Sequence, residues 1–228
     1  MSPSTRAILF DFGGTLDAPG EPWKERLFEL YRSEGVAMTP SEFAPVFYRA
    51  DDQLVGTVGR TLSFADTVYR LVDGVSAALA IADRALTGRV AAAFIDNTLA
   101  YVQESRRVLA RLAPVYRLGV VSNFYGNLAA VCDDLGLAKD LSVMVDSCVV
   151  GCTKPNARIF ACALDELRVA PAEALFVGDS LLRDMAGARD VGMPHVWLAP
   201  AERRQGEPCC ADDRVIASLT ELSDSLVR

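Results

Sequence analysis

The chain has 228 residues, 51% of them hydrophobic, with 23 lysines and arginines against 30 aspartates and glutamates and a formal net charge of -7. That length and balance fit one globular unit carrying an insert and exclude a disordered or fibrous polymer. The acidic excess opposes a nucleic-acid backbone, and no long uncharged apolar stretch supplies a membrane span or a secretory leader, so a soluble cytoplasmic protein is expected.

Residues 7–10 form a short apolar run halted by Asp11 and the pair Gly13-Gly14, the pattern of a buried strand ending in a tight loop. From residue 18 to residue 103 the texture changes to helix signals alone. Trp23, Leu27, Leu30 and Tyr31 recur at helical spacing up to Gly35, and Thr39-Pro40-Ser41-Glu42 reads as a capping box with proline in the first turn. A further apolar helical stretch covers residues 77–102. These features predict an all-helical insert, with hinges at residues 17–21 and 103–106.

Strand patterns return at residues 118–121, ended by Ser122-Asn123, and again at residues 141–145, 174–177 and 195–198. Helical spacing lies between them: Leu128, Val131, Cys132 and Leu135 ahead of Gly136, then Ile159, Phe160, Ala163, Leu164 and Leu167 after Pro155. The alternation predicts an α/β fold, a parallel sheet covered on both faces, with ligands bound beyond the carboxyl ends of its strands. Cys132, Cys148, Cys152, Cys162, Cys209 and Cys210 lack C-x-x-C spacing, so neither a zinc site nor a disulfide framework is expected. The sole histidine, His195, sits in an apolar run and reads as a half-buried strand residue rather than a catalytic base.

The strand and loop ends carry Asp11 with Thr15, Ser122 with Asn123, Lys154, and Asp179 with Asp184. Singly these are a turn former, a helix cap, a solvated cation and a first-turn carboxylate. In this order they are what phosphoryl transfer through a carboxylate nucleophile requires. Phe10-Asp11-Phe12-Gly13-Gly14-Thr15-Leu16, Val121-Ser122-Asn123, Thr153-Lys154-Pro155 and Val177-Gly178-Asp179-Ser180 ending in Asp184 resemble the four motifs of the haloacid dehalogenase-like hydrolase superfamily.

The resemblance implies a Rossmann-like core over residues 1–17 and 104–228, with a helical cap over residues 18–103. It implies a hydrolase removing phosphate from a small phosphorylated metabolite, with Asp11 as the nucleophile that becomes an aspartyl phosphate. Asp11, the Gly13 carbonyl, Asp179 and Asp184 would hold Mg2+, an all-oxygen set suited to a hard cation. Lys154 would neutralise the nucleophile and the transferred group, while Ser122, Asn123 and Thr15 would bind substrate.

One position departs from the family pattern. Most phosphatases of this superfamily carry a second aspartate two residues after the nucleophile, as general acid and base, and here that position is Gly13. A lost acid-base group lowers a rate by about two to four orders of magnitude. Asp17 or a cap carboxylate such as Glu21 takes over the proton transfer, the leaving group departs unaided, or catalysis is attenuated and the protein binds or regulates. Dehalogenases also lack that aspartate, and phosphonate hydrolases use a cap lysine, for which Lys24 is the only candidate in the insert. The aromatic residues Trp23, Phe28, Tyr31, Phe43, Phe47 and Tyr48 are expected mainly to pack the insert, with Arg60, Tyr125 and Asn127 as candidates near the mouth of the site.

Overall fold

The computed structural model describes residues 5–204, residue 208 and residues 213–227, and strand β1 (Ala7–Phe10) lies at the centre of its six-stranded sheet. Five further strands complete the sheet: β2 (Arg117–Ser122), β3 (Val143–Asp146), β4 (Ala174–Gly178), β5 (His195–Leu198) and β6 (Arg214–Ile216). Their order is β3-β2-β1-β4-β5-β6, with every neighbouring pair parallel. Ile8 and Phe10 enter one apolar cluster and Ala7 and Leu9 another. Burial on both faces is why β1 reads as a continuous apolar run rather than an alternation. The strand order reverses at β1, between β2 and β4, and a sheet of this kind opens its binding crevice beyond the carboxyl ends at that point.

Between β1 and β2 lie four helices, α1 (Trp23–Ser33), α2 (Pro40–Leu54), α3 (Phe64–Ala78) and α4 (Arg84–Leu112). The expected capping box opens α2: Thr39 Oγ1 accepts from Glu42 N at 3.3 Å, and Glu42 Oε2 accepts from Thr39 N at 2.7 Å. The helical stretch predicted over residues 77–102 is in fact divided. Ala80 turns left-handed at φ 56°, and Asp83 then caps α4 by accepting from the backbone N–H groups of Ala85 and Leu86.

The hinge expected at residues 103–106 is absent, because α4 runs through it without a break. No glycine or proline interrupts residues 89–112, and Val102, Ser105, Val108, Leu109 and Leu112 form a continuous buried stripe. Ser105 Oγ also donates to the Leu16 carbonyl at 2.7 Å, tying the helix to the loop after β1. Beyond β2 the chain supplies α5 (Leu128–Asp134), α6 (Ser147–Val150), α7 (Ala157–Leu167), α8 (Ala186–Asp190) and α9 (Leu219–Leu226).

The other expected hinge, residues 17–21, is a pinned loop. Asp17 is fully buried and accepts from Gly14 N at 2.6 Å, Trp23 Nε1 at 2.5 Å and Arg26 Nη1 at 2.8 Å. Arg26 in turn donates to Thr98 Oγ1 at 2.5 Å and lies 3.9 Å from the Phe94 ring centre, so the pair joins the loop, α1 and α4. Burial pushes the Asp17 carboxyl above its ordinary range, against the pull of Arg26. Arg26→Met is therefore expected to lower stability by about 3–5 kcal/mol at neutral pH in urea unfolding, because it strands a buried carboxylate. The deficit should narrow toward acid as Asp17 takes up a proton, and an unchanged midpoint would show that the pair carries no stability.

Among the described cysteines, Cys132, Cys148, Cys152 and Cys162 are free thiols; Cys209 and Cys210 lie outside the described residues. No helix among the described residues is long and apolar enough to cross a membrane.

Candidate active site

Asp11 leaves the carboxyl end of β1, its N–H donating to the Val177 carbonyl of β4 at 2.9 Å. Ser122 closes the adjacent β2 and donates its hydroxyl to Asp11 Oδ1 at 2.8 Å. Lys154, on the loop between α6 and α7, reaches in from the other face and sets Nζ 2.7 Å from both Asp11 Oδ1 and Asp184 Oδ1. Asp179 follows β4, and Asp184 lies in the wide π-helical turn Leu181–Met185 that comes next. The Ser180 N–H holds Asp184 Oδ2 at 3.0 Å, and the Ser180 hydroxyl caps the turn at Arg183 N. Oxygens of Asp11, Asp179 and Asp184 thus lie within 4.8 Å of one another.

Three carboxylates at that spacing in a water-poor site repel one another. Burial, then Asp11 and Asp184, pushes Asp179 well above the ordinary 3.8; burial and Asp11 also raise Asp184, although Lys154 pulls it down. Burial disfavours the Lys154 ammonium, but Asp11 and Asp184 outweigh it and raise that group, so it stays protonated. This oxygen-only cluster suits a hard divalent cation, which would relieve the repulsion that Lys154 alone leaves.

The two glycines after Asp11 differ. Gly14 has φ +89°, and a Cβ there would lie 2.4 Å from Asp179 Oδ2, so the backbone turn and the approach of Asp179 both require glycine. At Gly13 a Cβ would meet only the Trp23 indole at 3.5 Å, an ordinary contact. Sterics at Cβ therefore do not impose glycine at position 13.

The side chains of Thr15 and Asn123 are both engaged within the protein, although for Asn123 the group expected to bind substrate is the backbone N–H and the residue lines the cleft. Thr15 is fully buried and its hydroxyl donates to Asp179 Oδ1 at 3.4 Å, orienting a carboxylate rather than facing the cleft. The Asn123 side chain clamps the backbone of Lys154, accepting from its N–H at 2.7 Å and donating to its carbonyl at 3.2 Å. His195 opens β5 at the opposite end from these strand ends, with Nε2 2.9 Å from Asp213 Oδ1.

A cleft of about 150 Å³ opens over Asp11, Gly13, Ser122 and Lys154. Its opposite wall comes from the helical insert through Trp23, Lys24, Glu25, Tyr48 and Asp51, and Tyr125 and Arg183 close its sides. Asp17 and Glu21, the expected substitutes for the missing acid, line a separate cavity of about 520 Å³ with Arg26 and Tyr101. Asp17 is consumed by its three donors, so its proton-transfer role is not supported. Asn127 is buried and donates to the Leu62 carbonyl and Thr67 Oγ1, stitching the insert to α5, while Arg60 is exposed and outside the cleft lining.

Asp51 and Arg183 carried no signal in the sequence, since Asp51 is one of several acids on an amphipathic helix. Asp146 was also missed. Its carboxylate accepts from Gly126 N at 2.9 Å, Leu128 N at 3.0 Å and Cys148 N at 2.9 Å, and so fixes the loop that follows Ser122.

A family model described as haloacid dehalogenase-like hydrolase matches residues 5–192. The chain is 43% identical over 86 residues to haloacid dehalogenase-like hydrolase domain-containing protein 3 of Mus musculus, covering 38% of this chain and 34% of that protein. It is 34% identical over 114 residues to the glyceraldehyde 3-phosphate phosphatase of Pyrococcus abyssi (strain GE5 / Orsay), covering 46% of this chain and 47% of that one. The matched segments thus span less than half the length of either relative. A crystal structure of a dehalogenase matches with a TM-score of 0.68 at 21% identity over 100% of both chains, a likeness of fold.

Proposed function

The chain belongs to the haloacid dehalogenase-like hydrolase family, and from that premise we propose that it is a magnesium-dependent phosphatase of small phosphorylated metabolites, working through an aspartyl phosphate on Asp11. The observation that carries this reading is the Lys154 ammonium 2.7 Å from both Asp11 and Asp184, beside carboxylate oxygens within 4.8 Å of one another. An anionic nucleophile can approach an anionic phosphoryl group only where cations offset the repulsion. Asp11, the Gly13 carbonyl, Asp179 and Asp184 would hold Mg2+, which when bound neutralises carboxylates and phosphoryl oxygens. Lys154 aims Asp11, the Ser122 hydroxyl and the Asn123 N–H receive phosphoryl oxygens, and the helices of residues 18–103 act as the cap that excludes water.

Two related chemistries fit the residues less well. A halide leaving group needs neither a metal nor the additional carboxylates of Asp179 and Asp184. A phosphonate hydrolase needs a neutral cap lysine, whereas Glu25, 3.0 Å from Lys24, keeps that amine protonated and raises it against its partial burial. Gly13 favours a second reading, a protein that binds the phosphorylated ligand without turnover. A phosphate-release panel of sugar phosphates, acyl phosphates, nucleotides and phosphonates, run with and without Mg2+, separates the two. Magnesium-dependent release from at least one compound is expected; no release from any would leave the binding reading.

The ion should also report on the carboxylates. Asp179 is raised in the folded protein, so the fold holds a proton that the unfolded chain has lost, and metal-free stability should fall as pH rises from about 4 through the raised value. Mg2+ should displace that proton and bind more tightly as pH rises, read as proton release by calorimetry in two buffers of different ionisation enthalpy. Binding independent of pH would contradict this.

A further inference from the structure

We propose that Asp51, supplied by α2 of the helical insert, is the proton donor to the leaving group, in the role for which position 13 has no side chain. The inference rests on the phosphatase reading above and deepens it. In-line phosphoryl transfer sets the attacking and leaving oxygens on opposite sides of phosphorus. Asp11 attacks from the sheet side, so the leaving oxygen faces the insert, the wall that carries Asp51.

The carboxylates lining the cleft are Asp11, Glu25 and Asp51. Asp11 is the nucleophile. Glu25 is engaged by the Lys24 ammonium 3.0 Å from Oε1, although its Oε2 is buried without a partner. Asp51 is held differently: Oδ1 accepts the Tyr125 hydroxyl, and Oδ2 has no hydrogen-bond partner among the described residues. Tyr125 is a rigid mount, 5% exposed, its ring 4.7 Å from Phe124 and its carbonyl accepting from Gly56 N at 3.1 Å. The Trp23 indole borders the space beside Gly13, 3.5 Å from where a Cβ would lie.

The surroundings of Asp51 suit an acid. Burial pushes its carboxyl above the ordinary range; the Tyr125 hydrogen bond lowers it, the neighbouring Asp52 raises it, and Arg183 lowers it. The net shift is upward, toward the working pH that a general acid needs. In the first half-reaction Asp11 Oδ bonds to phosphorus, the bond from phosphorus to the leaving oxygen breaks, and the Asp51 proton passes to that oxygen to release an alcohol. In the second, the Asp51 carboxylate takes a proton from water as the water oxygen bonds to phosphorus and the bond to Asp11 breaks. Inorganic phosphate leaves, and both aspartates return to their starting state.

The test compares kcat/KM for para-nitrophenyl phosphate, whose leaving group needs no proton, with that for phenyl phosphate, whose leaving group does. Asp51→Asn preserves an acceptor for Tyr125 and is expected to lower kcat/KM about 100-fold or more on phenyl phosphate but less than about tenfold on para-nitrophenyl phosphate. It should also remove the loss of rate on the alkaline side of the pH profile for phenyl phosphate. Equal losses on the two substrates, or a leaving-group-selective loss in Glu25→Gln instead, would overturn the assignment to Asp51 while leaving the phosphatase reading standing. Absence of turnover of both substrates by the parent protein with Mg2+ would overturn both.

Discussion

Asp11→Asn is expected to abolish phosphate release, by roughly 10⁴-fold or more, while leaving the metal-free protein at least as stable as its parent. The two halves of that result have one cause. An amide cannot form the acyl phosphate, so covalent catalysis ends. Yet Asp11 is also one of three carboxylates crowded within 4.8 Å, and it raises both Asp179 and Asp184, so removing its charge relieves repulsion. The Ser122 hydroxyl keeps an acceptor in the asparagine oxygen, and Lys154 keeps Asp184 at 2.7 Å. Thermal unfolding with and without Mg2+, beside a phosphate assay, reads both effects. Turnover that survives the substitution would remove Asp11 from the chemistry, and a large loss of metal-free stability would mean the carboxylate is held by attraction rather than against repulsion.

Lys154→Met is expected to do the reverse to stability. Lys154 is 4% exposed and its ammonium bridges two carboxylates, so an apolar side chain of similar length leaves Asp11 and Asp184 buried without a counter-charge. Breaking a buried pair in this way costs about 3–5 kcal/mol, or about 6–20 °C in Tm for a domain of this size. Proton uptake by the already raised Asp179 takes the loss toward the lower end. Mg2+ should therefore stabilise the variant more than the parent, and kcat should still fall by about 10²–10³-fold because the transferred group loses its fixed cation. Lys154→Arg should not rescue it, since a planar fork cannot replace a compact point charge held between Asp11 and Asp184. A variant with the parent's metal-free Tm would contradict the bridging role.

Local pattern alone made much of the sheet legible. Strand β1 is buried on both faces, so its run is apolar without alternation, and the residues with chemistry stand where that run stops. The Thr39 cap was equally visible, because an N-cap bond closes within four residues. Short β6 was invisible, since three residues of mixed polarity carry no period. The hinge expected near residue 103 failed because helix continuity there depends on the buried stripe from Val102 to Leu112 and on the bond from Ser105 to Leu16, 89 residues away.

The ordered set of Asp11, Ser122, Lys154, Asp179 and Asp184 could be written down before any coordinates, because parallel connections return every strand end to the same edge of the sheet. Which acid shares the cleft with Asp11 could not. Asp17 is near Asp11 in the chain but turns away into a buried pair with Arg26, while Asp51 meets Tyr125 across 74 residues. Periodicity records which face of an element is apolar; it holds no information on how the insert docks against the strand ends, and that docking decides which side chains line the cleft.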